Sequence, residues 1–93
     1  MSGPSLEMFT GRRVVLDTAG PMIYIGELEA FDDRGYWLLD ADVHDRSDGH
    51  STKEKYISES RELERGGATR SNRQRVFVER QAVISVSALE DIA

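Results

Sequence analysis

The stretch MIYIGELEAFDDRGYWLLDADV, residues 22–43, decides the fold of this chain. Two apolar segments flank the polar sequence Asp32-Asp33-Arg34-Gly35, which is typical of the tight turn of a β-hairpin. Side chains alternate between the two faces of a strand, and Gly26 within the first segment indicates a bend or a close backbone approach. The sequence therefore predicts two antiparallel strands, over residues 22–31 and 36–43, the first of them bent.

Three further strands are predicted around this hairpin. Residues 12–18 form a strand that follows a short helix at 4–10, and residues 75–79 and 82–87 form the last two strands. Only Arg80 and Gln81 stand between these two, which predicts a sharp corner rather than an ordinary hairpin loop. The fold class is therefore mostly β: a small, five-stranded, strongly bent antiparallel SH3-like barrel with open edge strands.

Residues 44–74 form the longest segment without strand character. A helix is predicted over residues 52–65, because Ser51-x-x-Glu54 resembles a capping box and Gly66-Gly67 would end the helix. The positions that recur on one face of this helix are Tyr56, Ser60 and Leu63. A long β-hairpin that extends the third and fourth strands is the alternative.

Composition excludes several classes of protein. The chain has 93 residues and no cysteine, which excludes disulfides and thiolate metal sites and leaves self-association as one route to more burial. Apolar runs are too short to span a membrane, and the N-terminus lacks a secretory signal, so a cytoplasmic location is expected. The net charge of −5 opposes general affinity for nucleic acid.

Catalysis and metal binding find little support. The pair Ser47/His50 lacks any supporting pattern, so we predict neither an enzyme nor a cofactor. The residues that make a metal site conceivable at the end of the third strand are Asp40, Asp42, His44, Asp45, Asp48 and His50. Because the glycine of a calcium-binding loop is missing, a solvated acidic strand end is expected there and no metal site is predicted.

Two blocks of sequence resemble the Sm-like (LSm) family. The first contains Gly11-Arg12-Arg13-Val14-Val15-Leu16, Gly26-Glu27-Leu28-Glu29-Ala30-Phe31-Asp32 and Leu38-Leu39-Asp40-Ala41; the second is the stretch from Val76 to Val86. The resemblance implies one Sm-like domain over residues 1–93. Its parts would be the N-terminal helix (4–10), the first Sm motif (12–43), a variable insert (44–74), the second Sm motif (75–87) and a C-terminal tail (88–93).

The resemblance implies a ring of six or seven copies in which the fourth strand pairs with the fifth strand of a neighbour. The interface residues would be Val76, Phe77, Val78, Val83, Ile84 and Val86. It also implies a site for single-stranded RNA at the inner rim, with Asp32, Arg34, Tyr36 and Arg80 as candidate residues. The family's asparagine is replaced by Gly35 or Tyr36, and its Arg-Gly by Glu79-Arg80, so weak or altered specificity is expected.

Several of these residues have a second interpretation. Arg70, Arg73 and Arg75 are candidates for phosphate contact, but they are also placed to pair with Glu59, Glu62 and Glu64. Tyr36 and Trp37 either stack on bases or fill the core or a subunit interface.

Three hypotheses for the whole chain follow. The first is an RNA-binding ring, and the second is the same ring as an assembly scaffold with residues 44–74 as the surface that binds a protein partner. The third is an unrelated monomeric SH3-like barrel whose edge strands stay unpaired.

Overall fold

The computed structural model describes residues 5–45 and 52–92. Its strands and α-helix are β1 (Arg13–Thr18), β2 (Met22–Phe31), β3 (Gly35–Asp45), α1 (Lys53–Arg65), β4 (Arg73–Glu79) and β5 (Val83–Ala88). The strands form one five-stranded sheet in the order β4-β3-β2-β1-β5, and every neighbouring pair is antiparallel. The predicted mostly-β class, strand number and strand order along the chain are confirmed.

The corner between the last two strands is a single 3-10 turn, Arg80–Ala82. β4 pairs with β3 and β5 pairs with β1, so two strands that follow each other in sequence lie at opposite edges of the sheet. The predicted sharp corner is therefore confirmed. Each edge strand has one side whose backbone groups are not used by the sheet.

A β-bulge opposite Gly26 bends the central strands. Ile25 pairs with Asp42 and Glu27 pairs with Leu39, so Gly26 faces two residues of β3. A Cβ atom at Gly26 would lie 3.0 Å from the Cβ of Ala41, which confirms the predicted close approach. Asp40 lies in the bulge with a φ of 47°, so the regular alternation of side chains along β3 is interrupted between Leu39 and Asp42.

Both faces of the sheet are covered, and each has its own apolar cluster. Inside the barrel lie Val14, Leu16, Leu28, Tyr36, Leu38, Ala41 and Val78. On the other face lie Val15, Ile23, Ile25, Tyr56 and Leu89. The second cluster exists because α1 and the C-terminal segment pack there and exclude water from that face.

Helix α1 confirms the predicted helix in the insert. Thr52 is its N-cap and accepts a hydrogen bond from the Lys55 amide at 3.1 Å, whereas Ser51 of the predicted capping box lies outside the described residues. Of the predicted buried face, Tyr56 and Ser60 are buried but Leu63 is 37% exposed. The alternative of a long extended hairpin is wrong.

The segments at the two ends of the described chain pack against the sheet as short 3-10 turns. Leu6–Phe9 replaces the longer helix predicted over 4–10, and Leu6 and Phe9 contact the barrel core. Leu89–Asp91 buries Leu89 to 2% exposure, where only a tail was predicted. Within residues 5–45 and 52–92 no helix is both long and apolar enough to cross a membrane.

Candidate nucleic-acid interface

The turn between β2 and β3 is held by the side chain of Asp32. Its Oδ1 accepts hydrogen bonds from the Arg34 amide at 2.8 Å and from the Gly35 amide at 3.2 Å. The Asp32 amide in turn donates to the Gly35 carbonyl at 3.0 Å. An aspartate in this position satisfies the backbone of a tight turn, so the role of Asp32 in this chain is to shape the loop that carries Arg34.

A backbone hydrogen bond joins this turn to the corner between β4 and β5. The Arg80 amide donates to the Arg34 carbonyl at 2.8 Å. Gly35 permits the contact, because a Cβ atom there would lie 2.2 Å from the Val78 carbonyl oxygen. The structure thereby brings three of the four candidate RNA-binding residues, Asp32, Arg34 and Arg80, to one end of the barrel.

We call the pocket at this place the rim pocket; Asp33, Arg34, Phe77, Glu79, Arg80, Gln81 and Val83 line it. Two arginines face two carboxylates, so the lining has no net formal charge and attracts phosphate only weakly. Phe77 supplies an aromatic ring, a role that sequence reasoning missed. Strand alternation contained part of the signal, because it places Phe77 on the face opposite Val76 and Val78, and the closure of the sheet decides that the valines face the barrel.

Tyr36 does not join the rim pocket. Its side chain is 8% exposed and packs in the barrel core, which leaves almost no ring surface for a base. Its prediction as an RNA-binding residue is corrected on this ground, and its core interpretation holds. Trp37 is half-buried, with its ring centre 4.9 Å from that of Phe77 and the Arg75 guanidinium 4.3 Å above it.

The three candidate phosphate-contact arginines lie away from this pocket. The Arg75 Nε donates to Glu29 at 2.9 Å, and an Arg70 Nη lies 3.8 Å from the Glu59 carboxylate, one of the predicted pairs. Arg73 donates to the neighbouring Asn72 carbonyl at 2.9 Å and lies seven residues before Arg80, about 20 Å along an extended strand. These arginines therefore do not extend the rim pocket.

The other two predicted glutamate partners bind different arginines. Glu62 lies 3.1 Å from Arg65, and Glu64 lies 2.9 Å from Arg13. The ion pair of Glu64 with Arg13 thus joins α1 of the insert to β1, a contact that sequence spacing did not indicate.

The predicted interface residues all lie on the two edge strands. Val78 is buried in the monomer, Ile84 is 64% exposed, and the side chains of Val76, Phe77, Val83 and Val86 are partly buried. The edge positions are thus as expected, while pairing between copies stays a prediction.

The acidic end of β3 is covered by α1 rather than solvated. The Tyr56 hydroxyl donates to the Asp42 carboxylate, and the Tyr56 ring stacks on His44 with 4.0 Å between ring centres. Burial raises the pKa of Tyr56 well above its usual value, and the hydrogen bond to Asp42 raises this pKa further. The expected solvated strand end is therefore wrong for Asp42 and His44.

Residues 5–45 and 52–92 contain no group of three or more histidine, aspartate or glutamate side chains arranged to hold a metal ion. Asp48 and His50, which sequence analysis had placed in the conceivable site, lie outside the described residues.

Comparisons with known proteins agree on architecture. An Sm protein of Pyrococcus abyssii, solved in complex with a uridine heptamer, aligns with a TM-score of 0.59 at 13% identity over 89% of this chain and 90% of that one. A chain of the NatC complex bound to CoA aligns with a TM-score of 0.60 at 18% identity over 99% of this chain and 94% of that one. A chain of the NatC complex bound to Gag peptide and CoA aligns with a TM-score of 0.55 at 19% identity, over 88% and 87% of the two chains.

Sequence comparison adds nothing to this likeness. No protein-family model matches the chain, and no curated protein sequence matches it. Identities of 13–19% carry the fold alone. The five-stranded bent sheet, the order of its strands and these structural neighbours together show that the chain has the Sm-like fold.

Proposed function

We propose that this chain assembles with itself through β4 and β5 into a ring of six or seven copies that holds single-stranded RNA weakly at the rim pocket. Edge strands offer unpaired backbone groups to another strand, and Ile84 on β5 adds an apolar side chain that is 64% exposed. The proposal includes a binding rather than a catalytic role and a cytoplasmic location.

The single observation that carries the RNA part is the hydrogen bond between the Arg80 amide and the Arg34 carbonyl. It brings two exposed arginines beside the Phe77 ring. Proteins commonly bind single-stranded nucleic acid without sequence specificity by combining cationic side chains, which contact phosphates, with aromatic rings, which stack on bases. Asp33 and Glu79 oppose phosphate, and Gly35 offers no side-chain amide. We therefore expect weak affinity for single-stranded RNA and a base specificity that differs from the family's.

The test is fluorescence anisotropy with short uridine-rich and adenine-rich oligonucleotides at about 50 mM and about 200 mM salt. Arg34→Ala and Arg80→Ala should each weaken binding and lower the salt slope by about 0.7, the value for one phosphate contact to a single strand. The matched control is Arg73→Ala, which removes the same charge from the far end of β4. Equal losses in the control and the rim variants would contradict the proposed site.

Ring assembly is tested separately by light scattering. A mass six or seven times the 10.5 kDa of the chain is expected, and Ile84→Asp should lower it by placing a charge on the β5 edge. Ser58→Asp, which places the same charge on the exposed side of α1 and on neither edge strand, is the control. A wild-type chain that scatters as a monomer would rule out the ring and favour the isolated barrel.

The second candidate function is an assembly scaffold without RNA. The net charge of −5 and the carboxylates of the rim pocket favour it, as does the likeness to a chain of the NatC complex over 99% of this chain. The protein partner would bind the segment 44–74, whose helix exposes a charged outer face that includes Glu54, Lys55 and Glu62. An intact assembly that binds neither oligonucleotide at low salt would select this function.

A further inference from the structure

A second pocket lies where α1, the start of β1 and the C-terminal turn meet. We call it the arginine pocket. Its volume is about 370 Å³, within the range of small-molecule sites, and four arginines line it: Arg12, Arg13, Arg61 and Arg65. Glu64 and Glu90 are the carboxylates of the lining, which therefore carries a formal charge of +2.

Arg13 forms the fixed side of this pocket. Its Nε donates to both carboxylate oxygens of Glu64, at 3.2 and 3.0 Å, and its Nη1 donates to the Asp40 carbonyl at 2.8 Å. The Glu64 side chain is 18% exposed, so the pair is well shielded from water. Arg13 thus ties α1 to the bulge of β3 and holds one wall in place.

Arg61 carries a buried donor whose hydrogen bonding the fold does not explain. Its side chain is 17% exposed, yet its Nε–H is buried and finds no hydrogen-bond partner among the described residues. Among the described residues its nearest carboxylate oxygen belongs to Glu62, at 3.9 Å from an Nη, and Arg65 already binds that oxygen at 3.1 Å. A buried N–H donor without an acceptor costs free energy, and a bound anion is one way to supply that acceptor.

The other two arginines can turn toward the same space. Arg12 pairs with Glu90 and Arg65 with Glu62, but Glu90 is 72% exposed and both members of the second pair are at least 60% exposed. Exposed pairs of this kind are weak and can be exchanged for a stronger acceptor. A bound anion would therefore lie beside Arg61, which lines the pocket, and recruit Arg12 and Arg65.

We propose that the arginine pocket binds an organic phosphate, a phosphomonoester with a small apolar group. The planar forks of three arginines suit the oxygens of a phosphate, and the +2 lining matches its dianion. The volume exceeds that of bare phosphate, and the aliphatic stems of the lining arginines supply an apolar surface for the organic part. This site is separate from the rim pocket and shares no lining residue with it.

The test uses phenyl phosphate as the probe, with inorganic phosphate and phenol as comparison probes, on the full chain. Calorimetry measures the affinities, and NMR follows the Nε–H resonance of Arg61, which should shift on addition of phenyl phosphate. Phenyl phosphate should bind tightest, and both Arg61→Gln and the exposed Arg65→Ala should weaken it, the former by about tenfold or more. Arg65→Ala keeps the test valid if Arg61→Gln does not fold.

The matched control is Arg80→Ala, which belongs to the rim pocket and should leave phenyl phosphate affinity unchanged. In the same way, Arg65→Ala should leave oligonucleotide binding unchanged, so failure of one site is distinguishable from failure of the other. An unmoved Arg61 resonance, or full affinity in both arginine variants, would overturn the proposal. Equal affinity for inorganic phosphate, or for phenol, would overturn the assignment of an organic phosphate.

Discussion

The contact between Tyr56 and Asp42 anchors α1 to the sheet, and Tyr56→Phe is the sharpest perturbation of it. The side chain is 2% exposed, its hydroxyl donates to the Asp42 carboxylate, and its ring lies among the apolar residues of the outer face. Phenylalanine keeps the ring and its packing but removes the donor. The change therefore isolates one hydrogen bond between the helix of the insert and β3.

The expected cost follows from the charge of the acceptor. A hydrogen bond to a charged group contributes about 1.5–3 kcal/mol. Asp42 is only half-buried, so water can replace part of the lost contact, and the lower half of that range, about 1.5–2 kcal/mol, is expected. For a domain of this size, that corresponds to a fall in Tm of roughly 6–16 °C.

Urea denaturation followed by circular dichroism measures this loss. Ser58→Ala is the control, since it removes an exposed hydroxyl from the same helix and should change the free energy of unfolding by less than about 0.5 kcal/mol. Combining Tyr56→Phe with Asp42→Asn should cost less than the two changes added together. If Tyr56→Phe behaves like Ser58→Ala, or if the two changes are additive, the anchoring role is refuted.

The same residue predicts how stability responds to alkaline pH. Burial, followed by the Asp42 hydrogen bond, raises the pKa of folded Tyr56 above its usual value of 10, whereas the unfolded chain keeps the usual value. The contribution of Tyr56 is therefore complete below about pH 9 and declines above pH 10, where the unfolded state releases this proton first. Tyr56→Phe should show a smaller decline, and an equal decline in both proteins would contradict the assignment.

Two glycines give further predictions. Gly26→Ala places a methyl group 3.0 Å from the Cβ of Ala41 and should destabilise the fold by about 1–3 kcal/mol, whereas Gly20→Ala, with no atom within 4 Å, should change little; thermal unfolding checks both. Gly35→Ala would place a Cβ atom 2.2 Å from the Val78 carbonyl oxygen. It should therefore separate the β2–β3 turn from the corner between β4 and β5, and lower both oligonucleotide affinity and the free energy of unfolding. Unchanged binding in a folded Gly35→Ala variant would argue against the rim pocket.

Three of the four candidate RNA-binding residues came together as the sequence predicted, and the aromatic residue of the site required the fold. The sequence predicts both the turn that contains Asp32 and Arg34 and the corner that contains Arg80, and these residues come together as expected. Tyr36 looked equally available, but the pleat of β3 turns it into the barrel, and Phe77 takes the aromatic place at the rim. Which face of a strand becomes interior depends on where the sheet closes, and one strand does not contain that information.

What the sequence by itself determined was local. The five strands, the helix and the tight corner followed from apolar alternation, from turn residues, and from the capping pattern and glycines at the two ends of α1. Each of these signals depends on neighbours a few residues apart. Only the tertiary structure decided which surface α1 covers, how the bulge at Asp40 shifts β3, and that four arginines from two separate segments line one pocket. Those features depend on contacts between residues distant in the chain, where packing and ion pairing select the partner and sequence spacing does not.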